Sequence, residues 1–159
     1  MLIYLLIVFA FTADRLTKWW ATSYLGAGGG VEIHPLILLK PAYNSGIAFG
    51  MFQGIGTIVG WITIGVIVGM FVFLRRVPRS MWALRIGLAL IIGGALGNLV
   101  DRVTAGEVLD FITSPIRPGI FNVADVMINI GVLLSVLSLF FQQPSEETVP
   151  ATTVDQDLD

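Results

Sequence analysis

The sequence predicts an all-α membrane protein with four transmembrane helices and a small extracytoplasmic platform rich in β-structure. Of its 159 residues, 55% are hydrophobic and only 13% are charged, whereas a typical soluble domain is about 25% charged. The mean hydropathy is +0.85. Four apolar stretches, at about residues 2–24, 54–74, 82–100 and 122–141, each approach the ~20 residues that a helix needs to cross a membrane. We therefore expect one integral domain over residues 1–143, without a second, soluble domain.

The rest of the composition limits the chemistry that the chain could perform. The low charge excludes a disordered chain, a coiled coil and a nucleic-acid-binding protein, which all need charged residues. Cysteine is absent and His34 is the single histidine, so sites with cysteine ligands or several imidazoles are excluded. We expect no metal and no cofactor. Any hydrolysis would have to use carboxylates, hydroxyls, a lysine or His34.

The first apolar stretch, residues 2–24, is predicted to be a retained helix rather than a signal peptide. It lacks a basic segment at its start, and Asp14 and Arg15 stand where a signal peptide would have a small-residue cleavage site. Asp14 and Lys18 are four residues apart, so they share one helix face and are expected to pair. Because about 12 apolar residues precede Asp14, the pair is predicted to lie in the outer part of the span.

The segment after this helix, residues 26–53, is predicted to form the outer platform. Glycines at positions 26 and 28–30 favour a turn. The following segment, residues 31–40, is rich in β-forming residues, is interrupted by Pro35 and is closed by Pro41. We therefore expect a short sheet that lies on the membrane surface.

Basic residues between the second and third apolar stretches predict the orientation of the chain. They are Arg75, Arg76, Arg79 and Arg85. The positive-inside rule places this connection in the cytoplasm. Both termini are then predicted to be cytoplasmic, and residues 26–53 and 101–121 are predicted to face outward.

Pairs of glycines four residues apart occur within the apolar stretches. They are Gly56 with Gly60, Gly65 with Gly69, and Gly93 with Gly97. Small residues at this spacing let helix backbones approach closely, so the pairs predict tight packing between helices.

Residues 144–159 differ from the rest of the chain. They hold five of the eleven acidic residues, together with proline, serine and threonine. This composition is typical of disordered segments. We expect a disordered, acidic cytoplasmic tail without a catalytic role.

Most of the remaining polar residues fall at the outer ends of the predicted spans. They are Asp14 and Lys18 in the first span, Asn44 in the platform, Asn98, Asp101 and Arg102 at the end of the third span, Asp110 in the loop that follows, and Asn122 and Asp125 at the start of the fourth span. Ionisable residues are costly to bury in a membrane and often mark functional sites. We expect Lys18 to pair with Asp14, and Arg102 to pair with Asp101. Asp110 and Asp125 are then left without an obvious partner.

These two carboxylates are the candidates for catalysis. Prolines and a glycine between them turn the chain, so Asp110 can return to the start of the helix that carries Asp125. Two close carboxylates in a low-dielectric site share one proton. The ionised member can take a proton from water while the protonated member polarises a carbonyl, as in aspartyl hydrolysis. The alternative is structural, with Asp125 as a helix cap and Asp110 as an interfacial charge.

Five segments together resemble the prolipoprotein signal peptidases, also called signal peptidase II. The segments are DRLTK at residues 14–18, NSGIAFG at 44–50, GGALGNLVDR at 93–102, GEVLDF at 106–111 and FNVAD at 121–125. They occur in the family's order and in the expected positions relative to the four spans. Two small departures, Ile47 and Val126, lie beside the motifs and are apolar.

The resemblance implies a function for the candidate residues. The family's catalytic aspartates correspond to Asp110 and Asp125. Residues implied to bind substrate or support this pair are Asn44, Asn98, Arg102 and Asn122. Residues expected to be structural are Asp14, Lys18 and Asp101.

The resemblance also implies a substrate and a location. The chain would be an intramembrane aspartic endopeptidase that removes signal peptides from prolipoproteins by cleaving before the diacylglyceryl-modified cysteine. Its partners would be these precursors and membrane lipids, and a monomer is expected. It would lie in the bacterial cytoplasmic (inner) membrane with its active site at the outer face. The platform resembles the family's β-cradle. In the family, a small helix over the active site follows this cradle.

Two alternatives use other chemistry. A small proton-coupled transporter would also contain carboxylates in its membrane segments, but its relay should extend through the bilayer. A serine protease would need a base for Ser45, and His34 beside Pro35 is poorly placed to act as one. The clustering of the carboxylates at one level favours the peptidase.

Overall fold

The computed structural model describes residues 1–25, 30–46 and 54–141. Several predictions concern residues outside these ranges: the glycine turn at 26–29, Ile47 and the rest of the second motif, the small helix over the active site, and the acidic tail. The described elements are α1 (Leu2–Tyr24), β1 (Val31–His34), β2 (Ile37–Asn44), α2 (Gly56–Arg76), α3 (Trp82–Ala105), β3 (Val108–Ser114), β4 (Arg117–Phe121) and α4 (Val123–Phe140).

The four helices coincide with the four predicted apolar stretches. Three of them, α2, α3 and α4, are long and apolar enough to cross a membrane. The first helix has 23 residues, but its charged residues Asp14, Arg15 and Lys18 lie toward its middle, whereas those of the other three helices lie near the helix ends. Three of the four predicted spans are therefore supported by length and composition, and a crossing by α1 stays a prediction.

Helix α3 contacts each of the other three helices and is the centre of the bundle. Its glycines permit this close packing, because a Cβ at Gly93 would meet Ala10 and one at Gly94 would meet the backbone of Ala124. A Cβ at Gly97 would meet the side chain of Asp14. The predicted tight packing is thus confirmed at Gly93 and Gly97, whereas Gly65 has open space around it.

The four strands form one antiparallel sheet in the order β1-β2-β3-β4. The predicted platform segment supplies only β1 and β2. The other two strands come from the segment between α3 and α4, so the prediction that Asp110 lies in a loop is wrong. Asp110 is in β3, where it pairs with Ala42 of β2. This pairing is a long-range contact, which local sequence patterns do not indicate.

Pro41 does not close the strand, as its position suggested, because β2 continues through it to Asn44. The register between β2 and β3 shifts between Leu39 and Ala42. A proline lacks the N–H that a regular ladder needs, so an irregularity in the ladder can accommodate it. One extra residue lies in β2 at this point, and Asn44 pairs with Val108 at the end of the sheet nearest α3.

A small apolar cluster joins the sheet to the end of α1. Its buried members are Ala21, Leu25, Leu39, Leu109 and Phe111. Burying apolar side chains stabilises the contact by about 25 cal/mol per Å² removed from water. The cluster therefore holds β3, and with it Asp110, against the end of the bundle.

Candidate active site

The predicted site residues come from separate elements that meet at one end of the bundle. Asn44 ends β2 and Asp110 lies in β3. Asn98 lies near the end of α3, while Asn122 and Asp125 begin α4. Hydrogen bonds link all five residues into one network.

The carboxylate of Asp110 is 4% exposed and accepts two amide hydrogen bonds. Asn122 Nδ2 donates to Asp110 Oδ1 at 2.7 Å, and Asn44 Nδ2 donates to Asp110 Oδ2 at 3.3 Å. Burial, together with the negative charge of Asp125, raises the pKa of Asp110 to about 6. The two amide donors and the charge of Lys18 act in the opposite direction. Asp110 can therefore hold a proton at a pH where an ordinary aspartate would be ionised.

Asp125 is held by the first turn of α4. Asn122 is the N-cap, and its Oδ1 accepts a hydrogen bond from Asp125 N at 2.9 Å. In return Asn122 N donates to Asp125 Oδ2 at 3.2 Å, which completes a capping box. The helix dipole favours a negative charge at this position. Asp125 is thus a helix-capping residue, as the structural alternative held. Its other oxygen, Oδ1, takes no part in the cap.

That second oxygen connects Asp125 to Asp110 through two asparagines. Asn98 Nδ2 donates to Asp125 Oδ1 at 3.0 Å. Asn122 Nδ2 donates to Asn98 Oδ1 at 3.0 Å as well as to Asp110. Asn98 and Asn122 are both buried. The two aspartates therefore belong to one polar network, and the two asparagines that link them are shielded from solvent.

An ion cluster lies behind Asn98. Lys18 Nζ is 2.9 Å from Asp14 Oδ2 and 2.8 Å from Asp101 Oδ2, and it donates a hydrogen bond to Asn98 Oδ1 at 2.8 Å. The predicted Asp14–Lys18 pair is confirmed. Asp14 Oδ1 also accepts from Ala124 N at 3.0 Å, which ties α1 to the start of α4.

The predicted pairing of Arg102 with Asp101 is wrong. Asp101 instead pairs with Lys18 and with Arg15, whose Nη1 also donates to it. Because α1 and α3 run side by side, Arg15 reaches Asp101 across the helix contact, and the spacing within α3 gives no sign of this. Sequence reasoning did not single out Arg15.

Arg102 is left facing the site. Its Nε is buried and has no hydrogen-bond partner in the part of the chain that the structure describes. The carboxylates that act on it electrostatically are those of Asp125, Asp110 and Asp101. A buried donor without a partner is rare in folded proteins and is suited to receive an acceptor from a ligand.

The positions of His34 and of the charged residues bear on the alternatives. His34 Nδ1 accepts a hydrogen bond from Leu36 N at 3.1 Å, in the turn between β1 and β2, so this histidine stabilises a turn. The helical segments 86–97 and 126–140, which pass through the bundle, contain no ionisable residue. A transporter relay would need such groups there.

Known proteins resemble this chain over most of its length. A family model described as signal peptidase (SPase) II matches residues 6–141. The lipoprotein signal peptidase of Bacillus velezensis is 36% identical over 145 residues, which cover 89% of this chain and 95% of that protein. The lipoprotein signal peptidase of Acinetobacter baumannii is 38% identical over 145 residues, covering 84% of this chain and 80% of that protein.

Solved structures agree with the sequence comparison. A bacterial membrane enzyme determined by the in meso method at 2.3 Å resolution has a TM-score of 0.82 and 30% identity, covering 90% of this chain and 93% of the other. A second such structure, at 1.9 Å resolution, has a TM-score of 0.79 and 31% identity, covering 89% and 94%. The similarity therefore includes both the helices and the sheet that carry the candidate residues.

Proposed function

The chain belongs to the signal peptidase II family, and from this premise we propose that it is an aspartic endopeptidase that removes signal peptides from prolipoproteins. The proposed cut lies before the diacylglyceryl-modified cysteine. The observation that carries the aspartic mechanism is the network in which Asp110 and Asp125 have different environments. One carboxyl group is buried with a raised pKa, and the other lies at a helix N-terminus.

The two environments suggest separate roles for the aspartates. Asp125, ionised at the start of α4, takes a proton from the attacking water. Asp110, protonated, donates a hydrogen bond to the scissile carbonyl and makes its carbon more electrophilic. Water attack forms a tetrahedral intermediate, and a proton passed to the amide nitrogen lets the C–N bond break. Asn98 and Asn122 fix the side-chain positions of the pair, and Asn44 holds the outer oxygen of Asp110.

Arg102 is proposed to bind the substrate backbone. Its buried Nε lacks a partner among the described residues and lies in the electrostatic field of both catalytic carboxylates. A guanidinium donor there would bind a peptide carbonyl and would help to offset the negative charge of the site. This is the role that the family resemblance implied for Arg102, and it does not involve the pairing with Asp101 that the charge pattern suggested.

The proposed membrane topology has four spans, with both termini in the cytoplasm and the active site at the outer face of the bacterial cytoplasmic membrane. The charges of α1 are compatible with a crossing, because Asp14 and Lys18 are buried against each other and against α3. The arginines near the start of α3 lie at the opposite end of the bundle from the aspartates, as the positive-inside rule requires. We further propose that the enzyme is a monomer and that residues 144–159 form a cytoplasmic tail.

A precursor that carries diacylglycerol is expected to be cleaved much faster than the same precursor without it. The lipid would hold the scissile bond at the depth of the aspartates, and positioning of this kind can contribute several orders of magnitude to a rate. We expect at least about a 10²-fold difference in kcat/KM, measured with purified protein and matched synthetic precursors in detergent. Equal turnover of the two precursors would contradict the proposed substrate.

The pH dependence of cleavage tests the proposed protonation states. Since burial raises the pKa of Asp110 to about 6, the protonated form required for catalysis is lost as pH rises through that value. We expect kcat/KM to fall about tenfold per unit at higher pH. Asn44→Ala removes a donor that stabilises ionised Asp110, so this limb should move to higher pH. An Asn44→Ala profile that is lower but unshifted would contradict the assignment of the proton to Asp110.

A further inference from the structure

A groove of about 740 Å³ lies at the end of the bundle opposite the aspartates. The first and third helices run parallel there, since Ile7 and Ala10 lie beside Gly93 while Asp14 lies beside Gly97. The first residues of α1 and the start of α3 therefore form its walls. The apolar lining includes Leu2, Leu5, Phe9, Trp82 and Ile86. Such a volume is in the range of small-molecule sites.

Two arginines line the same groove. Arg85 is fixed in place, because its Nη1 donates to Leu74 O at 3.2 Å and also to Val77 O at the end of α2. A guanidinium has five N–H donors, so Arg85 retains donors for a ligand. Arg79 is exposed and makes no hydrogen bond or ion pair with any residue in the described ranges. The groove thus joins a long apolar wall to a pair of cationic groups.

The charge around the groove has one sign within the described residues. Arg75 and Arg76 lie in the last turn of α2 and are not part of the groove lining. The described acidic residues belong to the sheet end of the molecule: Asp14, Glu32, Asp101, Glu107, Asp110 and Asp125. This end is therefore suited to an anion, and the apolar wall is suited to a hydrocarbon chain.

We propose that the groove between the starts of α1 and α3 is a binding site for an anionic phospholipid. The phosphate lies between Arg79 and Arg85, and one acyl chain lies along the apolar wall. An anionic headgroup gains about fivefold in affinity for each nearby arginine or lysine. The acidic tail also carries negative charge, but only four of its sixteen residues are apolar, so it is poorly suited to fill a hydrocarbon groove. This site is separate from the catalytic residues and does not depend on peptidase activity.

The test compares two lipids that have the same acyl chains. Delipidated full-length protein in detergent is titrated with dioleoylphosphatidylglycerol or dioleoylphosphatidylcholine, and bound lipid is counted by native mass spectrometry. We expect the anionic lipid to bind about 25-fold more tightly, because its headgroup carries a net negative charge beside two arginines, whereas the choline cation of the other lipid offsets its phosphate. Arg79→Gln should weaken the anionic lipid by about fivefold and the zwitterionic lipid by less. Arg76→Gln removes the same charge outside the groove and should change binding by less than twofold.

A second pair of variants tests the apolar wall. Leu5→Trp places a large side chain in the groove, whereas Val8→Trp makes the same kind of change on an exposed part of α1 that does not line it. We expect Leu5→Trp to weaken the anionic lipid at least tenfold and Val8→Trp to leave it unchanged, with melting temperatures checking that both variants fold. Equal binding of the two lipids would overturn the proposal, as would equal effects of Arg79→Gln and Arg76→Gln. A third outcome would also overturn the proposal: lipid binding that becomes tighter when residues 144–159 are deleted and that does not change in Leu5→Trp. It would mean that the arginines bind the acidic tail and not a lipid in the groove.

Discussion

Replacing Asp125 by asparagine is expected to lower cleavage of a lipid-modified precursor by about 10²–10⁴-fold, because the variant has no general base for the attacking water. The fold should survive. Asparagine has nearly the same shape and can still accept the hydrogen bond from Asn122 N, which holds the first turn of α4. The loss of the charge at the helix N-terminus should cost about 0.3–1 kcal/mol of stability, and Asn98 Nδ2 also loses its acceptor, because the amide nitrogen of the new asparagine takes the place of Oδ1.

Asp110→Asn should remove activity to a similar extent but with a different effect on stability. The raised pKa of Asp110 means that ionising this group in the folded protein is unfavourable. The stability that the neutral carboxyl group contributes is fully present below its unfolded pKa and is lost as pH rises through about 6. At pH 7 and above, Asp110→Asn should therefore be neutral or slightly stabilising, whereas Asp125→Asn should be destabilising.

Glu107 supplies the matched control for these two variants. It is an acidic residue only three positions before Asp110, and its carboxylate forms no hydrogen bond or ion pair with residues 1–25, 30–46 or 54–141. Glu107→Gln should retain wild-type cleavage. Cleavage rates and melting temperatures of the three variants, measured in the same detergent, make the comparison. If either aspartate variant cleaves at a rate close to that of the wild type, the assignment of the catalytic pair is wrong.

The sequence predicts the helices and the identities of the polar residues because these depend on local patterns. Long apolar stretches indicate helices, and the spacing of Asp14 and Lys18 is enough to pair them. The helix cap was expected at Asp125, and the structure shows that Asn122 is the N-cap while Asp125 completes the capping box. Each of these features can be read within one turn or one span of helix.

Features that depend on contacts between distant segments could not be predicted in the same way. The pairing of β2 with β3 puts Asp110 in a sheet, and the irregular register at Pro41 accommodates a residue that usually ends a strand. The contact of Arg15 with Asp101 joins residues that are 86 positions apart. Because Asp101 is occupied by Arg15 and Lys18, Arg102 is left for the substrate-binding role that the resemblance implied.

Lys18 connects the ion cluster to the proposed catalytic network. It is 2% exposed and contacts two carboxylates as well as Asn98 Oδ1. Because Asn98 Oδ1 faces Lys18, the amide nitrogen of Asn98 is directed toward Asp125 Oδ1. Lys18 therefore has two separable effects. It neutralises buried negative charge, and it orients an asparagine that holds the proposed base.

Lys18→Met is expected to destabilise the protein strongly. Asp14 and Asp101 would keep their charges with only Arg15 to compensate them, and breaking a buried ion pair by removing one partner costs about 3–5 kcal/mol. Chemical denaturation in detergent would measure this loss. Cleavage should fall as well, through both the lower folded fraction and the misplaced Asn98.

The double variant Asp14→Asn/Lys18→Met separates the two effects. It removes one positive and one negative charge, so the cluster stays balanced by the contact between Arg15 and Asp101, and asparagine can still accept from Ala124 N. Stability should recover most of the loss, because apolar replacement of a whole buried pair is often nearly neutral. The Lys18 donor to Asn98 Oδ1 is still missing and only that of Asn122 remains, so kcat should remain low, by up to about 10²-fold, while KM changes little. Recovery of kcat together with stability would show that Lys18 acts on the fold alone and has no part in orienting Asn98.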